Sequence, residues 1–165
     1  MSYESWIGSA GLIVAVCSII LTVTLRLYDY HKQGSQRRID RIGNALRQLQ
    51  PLLSLAKASY QEQQTNVPAL YSLIAQICKI YGEAMSKGLE VDLKKEASDI
   101  FKDLKVLDGR YTDMYRAYIK KSYDPDFEQN AEFDMLRGNV VNDSEIKRLI
   151  KELLPMVDKW LEKHP

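Results

Sequence analysis

Few residues in this chain could do chemistry, and their spacing narrows what that chemistry could be. The 165 residues include two histidines and two cysteines. Cys17 lies in an uncharged run and Cys78 on an apolar helical stripe, so neither suggests a disulfide or a metal site. His31 follows Arg26 at R-x4-H spacing. His164 follows Lys159 at the same spacing, with Lys where bidentate phosphate recognition wants Arg. Tyr111, Tyr115 and Tyr118, flanked by Arg110, Arg116, Lys120 and Lys121, could stack bases while the cations hold phosphates. The same helical spacing also suits a core stripe with a solvated basic rim. With a net charge of only +1, nucleic acid is disfavoured as a partner. No Gly-rich phosphate loop, CxxC, HExxH or nucleophile elbow occurs in the sequence. The expectation is a protein that is not an enzyme and uses no cofactor and no metal.

The element that dominates the chain is the uncharged stretch 6–25, WIGSAGLIVAVCSIILTVTL. About 20 apolar residues are what a helix needs to cross a hydrocarbon core of ~30 Å. Trp6 opens the run, Arg26, Tyr28 and Tyr30 follow it, and aromatic rings at both ends with a cation at the second suit membrane interfaces. No basic n-region or A-x-A site marks it as a cleaved signal. Arg37 and Arg38 extend a basic cluster that could rest on anionic headgroups, or could simply be solvated. Because Lys and Arg follow the run and none precede it, the chain is expected to sit in the inner or cell membrane as a single-pass protein. Its N-terminus would lie outside and its helical part in the cytoplasm. Gly8, Gly11, Ala15, Ser18 and Thr22 share one face of the run, a stripe that suits self-association or the lining of a pore.

The remainder predicts helices throughout. Gly34 and Ser35 offer a hinge. A seam of Ile39, Ile42, Leu46, Leu49 and Leu53 then follows on a helix over about 36–64, which Pro51 should kink or divide. Further helices are expected over about 68–87, 92–121 and from 142–144 onward, the last bent at Pro155. Residues 122–143 are acidic and lose periodicity, and read as an irregular loop or a short extra helix. The fold class is all-α: a membrane segment over 1–30, then a cytosolic antiparallel four-helix bundle over 31–165. The basic residues after the run could pair with the acidic stretch of another protomer.

In this layout the chain resembles the small pore-forming membrane accessory proteins of type VI-B CRISPR systems, whose bundle is a degenerate HEPN-like one. The resemblance implies a homo-oligomer that permeabilises or depolarises the membrane in antiviral defence. Its partners would be further copies of itself, membrane lipid, and a cytosolic protein or an RNA-guided nuclease. Arg26 and His31 match the R-x4-H spacing of HEPN ribonucleases, which implies a membrane-tethered RNase as a minor alternative. Arg26 reads equally as an interface anchor. A membrane-anchored adaptor for a cytosolic protein is the other alternative.

Overall fold

The computed structural model describes residues 3–62, 65–87, 95–124 and 127–165, and of residues 3–19, 31, 35, 95 and 96 the backbone alone. Five helices make up the fold, with no strand among the described residues: α1 (Tyr3–Ser59), α2 (Val67–Ser86), α3 (Lys95–Lys121), α4 (Gln129–Asn142) and α5 (Ser144–Lys163). The all-α class is therefore right. The chain divides into two compact units, Met1–Asp40 and Arg41–Pro165.

Local chemistry sets the helix ends. The Asn66 side chain accepts from the Ala69 amide at 3.1 Å, and Pro68 occupies the first turn of α2, where its missing N–H costs nothing. The Asp143 carboxylate accepts from the amides of Glu145 and Ile146 at 3.0 and 2.9 Å and starts α5. At the far end of α2 the Lys87 amide closes onto the Met85 carbonyl.

Within Arg41–Pro165 the core is made by the later part of α1 together with α2–α5. Ile42, Leu46, Leu49, Leu53 and Ala56 are buried from α1. They meet the stripes Leu70, Ile74, Ile77 and Tyr81 of α2, Ile100, Leu104 and Leu107 of α3, and Leu149, Ile150, Leu153 and Val157 of α5. Each fully buried Leu or Ile contributes on the order of 1.5–3 kcal/mol relative to exposure. No polar or charged residue is buried among the described residues. Polar groups instead tie the edges: Gln50 donates to Asp158 at 2.7 Å, and the Tyr60 hydroxyl donates to the Val141 carbonyl at 3.0 Å.

Several expectations need correction. α1 runs through Gly34, Ser35 and Pro51 as one helix of 57 residues, so there is neither a hinge nor a separate seam helix. Pro51 and Arg47 are both exposed, so the carbonyl that Pro51 leaves unbonded faces water, and the break is tolerated. Pro155 likewise lies on the exposed side of α5, inside the helix, as expected of a residue the sequence placed within it. Of the two readings of 122–143, an irregular loop or a short extra helix, the second holds over Gln129–Asn142, where α4 buries Leu136, Val140 and Val141. The core consequently draws on five helices rather than on a bundle of four.

The expected membrane placement is overturned. Among the described residues no helix is long and apolar enough to cross a membrane. From Ile20 onward α1 carries Arg26, Asp29, Lys32, Arg37, Arg38 and Asp40, and that charge density forbids an apolar window of spanning length. The expected single-pass topology, with N-terminus outside and bundle in the cytoplasm, goes with it. The side chains of the run over 6–19, including Trp6, lie outside the described residues.

Candidate functional site: the exposed apolar length of the first helix

Within Met1–Asp40, α1 has a helical backbone and large apolar side chains that stay open. Ile20, Leu21, Val23, Leu25, Leu27, Tyr28 and Tyr30 are exposed, from 50% at Val23 to 80% at Tyr30. Helical geometry sorts them. Ile20, Val23, Leu27 and Tyr30 follow one another at intervals of 3, 4 and 3 and form one stripe, while Leu21, Leu25 and Tyr28 form a second beside it. Arg26 and Asp29 project from the remaining side. Thr24 bonds back into its own helix, its hydroxyl donating to the carbonyls of Ile20 at 2.7 Å and Leu21 at 3.0 Å. It therefore presents its methyl group rather than a free hydroxyl. Gly34 follows the first stripe at the next interval, and a Cβ there would meet nothing within 4 Å.

The other residues singled out by sequence separate into groups. Gly8, Gly11, Ala15 and Ser18 lie outside the described side chains; Thr22 is exposed. The seam residues Ile42, Leu46, Leu49 and Leu53 are buried and Ile39 is half-buried, so most of the seam is consumed inside this chain's own core. Arg26, Tyr28, Tyr30, Arg37 and Arg38 are all exposed on α1. Arg26 and His31 share one unbroken helix, and a five-residue step turns the two about 140° apart around its axis. The His31 side chain lies outside the described residues. His164 is no loose terminus: its ring stacks on Trp160 with centroids 4.2 Å apart, and Nδ1 lies 2.9 Å from the Trp160 carbonyl.

The tyrosines of α3 belong to a half-buried aromatic cluster with Tyr71, Phe127 and Phe133. Tyr111 and Tyr115 stack at 6.3 Å and Tyr115 meets Tyr118 at 6.1 Å. Tyr118 packs on Phe127 and Phe133, and the hydroxyls of Tyr71 and Tyr111 share a hydrogen bond of 3.1 Å. These contacts half-bury Tyr111 and Tyr118, whereas Tyr115 remains exposed. Burial pushes the Cys78 thiol up, and the nearby Asp108 charge pushes it further, so Cys78 stays a thiol.

Sequence reasoning missed the partners of the acidic stretch. Asp143 receives Arg110 in a fork, Nη2 at 2.8 Å and Nε at 3.1 Å. Lys121 reaches Glu132 at 3.1 Å, and Arg137 reaches Asp134 at 3.0 Å while lying over the Phe133 ring. These acids are matched within their own chain. Residues 33 positions apart, such as Arg110 and Asp143, leave no local sequence signal; only the cap position of Asp143 was readable.

Set against family models, curated proteins and solved structures, the chain matches none of them.

Proposed function

We propose that this protein is a self-associating helical module whose α1 binds α1 of a second copy. The observation that carries the reading is the uncovered apolar length at Ile20, Leu21, Val23, Leu25, Leu27, Tyr28 and Tyr30. Ordinary proteins expose such side chains singly, whereas contiguous patches mark contact surfaces. The spacing of Ile20, Val23, Leu27 and Tyr30 is that of a coiled-coil seam, which an identical stripe can complete. Upstream, the sequence keeps the same intervals at Ile13 and Val16. Downstream, Gly34 and Arg37 end it.

Covering one half-exposed apolar side chain contributes about 1 kcal/mol. Four from each copy give ~8 kcal/mol, which lies within the ~4–15 kcal/mol that association costs in lost freedom. The four-residue stripe alone therefore supports at most a weak, millimolar complex, and every further apolar position that joins the seam tightens it. A pore needs a span to line, so the proposal stops at self-association.

The test is sedimentation velocity on the full chain from micromolar to millimolar concentration, without detergent. The wild type is expected to gain mass with concentration. Val23→Glu with Leu27→Glu, both at exposed positions, is expected to raise the dissociation constant by roughly a hundredfold or more while leaving the helix content unchanged. A wild type that stays monomeric throughout overturns the reading, and so does a chain that floats with neutral lipid vesicles as a monomer.

A further inference from the structure

We infer that the cleft between α1 and α2 in the unit Arg41–Pro165 is a binding site for a small ligand bearing a phosphate or carboxylate group. The cleft measures about 260 Å3. Its floor includes Ala45 and Ala84, both buried, and their short side chains leave the space that longer neighbours fence in. Its walls carry Arg41, Asn44 and Gln48 from α1 and Glu83 and Lys87 from α2. The two helices are joined by a short connection and therefore run antiparallel. Arg41 and Lys87 lie a similar number of residues from that connection, which brings both cations to the same end of the cleft. Among the described residues neither has an ion-pair partner.

That composition suits an oxyanion. Arg offers a planar fork to two oxygens, Lys a compact charge, and the amides of Asn44 and Gln48 add neutral donors. Two features oppose an anion there. Glu83 lines the same cleft, and the carboxyl end of α2 presents roughly half a negative charge. Both are weakened. Lys79 stands 4.0 Å from the Glu83 carboxylate, and the carbonyls of Glu83 and Met85 are already taken by the Ser86 hydroxyl and the Lys87 amide. Two full positive charges outweigh what remains. The acidic side chain should then weaken anion binding without abolishing it.

The experiment titrates the full chain with inorganic phosphate and, separately, with citrate, following the amide signals of Asn44 and Gln48 by NMR. Saturable shifts are expected at low ionic strength. Arg41→Gln and Lys87→Gln are each expected to weaken binding by about tenfold or more. Glu83→Gln is expected to strengthen it, which mere loss of structure would not do. Lys151→Gln, an exposed cation on α5, is the control and should change nothing. The arm that saturates at the lower concentration names the ligand chemistry. Absence of saturation in both arms overturns the site. So does binding that Arg41→Gln and Lys87→Gln leave intact, or that Lys151→Gln weakens equally.

Discussion

Asp143 joins two helices through one carboxylate. It caps α5 through the amides of Glu145 and Ile146 and receives the Arg110 fork from α3. Burial alone would push its carboxyl up, but the Arg110 hydrogen bond, the Ile146 amide, the Arg110 charge and the Glu145 amide together hold it below the usual range. A depressed carboxyl contributes stability that is fully present above its unfolded pKa, about 3.9, and is lost as the pH falls through the folded value. Asp143→Ala is therefore expected to cost ~1–2 kcal/mol at neutral pH, and the difference from wild type should shrink on acidification below about pH 4. Thermal unfolding of both proteins at several pH values measures it. A difference independent of pH would leave the cap without its charge. The same region pushes the Tyr60 hydroxyl up to about 12, through burial first and the Asp143 charge second. Tyr60 accordingly stays a donor to Val141 across the physiological range.

At the scale of the helix, α3 carries a second testable feature. Gly109 lies inside Lys95–Lys121 on its exposed side, and an added Cβ would meet nothing within 4 Å. Glycine in a helix interior costs about 0.5–1 kcal/mol relative to alanine through lost backbone freedom. Gly109→Ala should raise stability by that amount in a denaturant midpoint, with an unchanged slope. A loss would mean that this face contacts something that alanine obstructs. The helices also explain why α4 was hard to foresee. Its buried positions, Leu136, Val140 and Val141, are confined to its second half, and its capping residue Glu128 makes no side-chain cap bond. Neither periodicity nor a start signal stands out in such a stretch.

At the scale of the molecule, the two units carry different work. Arg41–Pro165 holds the buried core, whereas the exposed apolar length at 20–30 belongs to Met1–Asp40. A fragment beginning at Arg41 should fold cooperatively, with a transition within a few degrees of the full chain. It should also remain monomeric where the full chain associates. Calorimetry and sedimentation on the same samples check both halves of that statement. A fragment that still self-associates would move the contact surface out of α1.

Much of the architecture was legible from residue order alone. The helical class, a helix start just before Pro68 and another within 142–144, and the stripes of α2, α3 and α5 follow from capping chemistry and from spacings of 3 and 4, which are local properties of the chain. Sequence also marked the run 6–25 as apolar with Tyr28 and Tyr30 just beyond it, but apolarity says nothing about what covers a side chain. Only tertiary structure decided that Ile42, Leu46, Leu49 and Leu53 are buried inside their own chain while Ile20, Val23, Leu27 and Tyr30 are left open. It alone placed Arg110 on Asp143, and brought Arg41 and Lys87 to one cleft. The reason is physical. A helical stripe records that one face must leave water, and which surface meets it is fixed by packing between segments far apart in sequence.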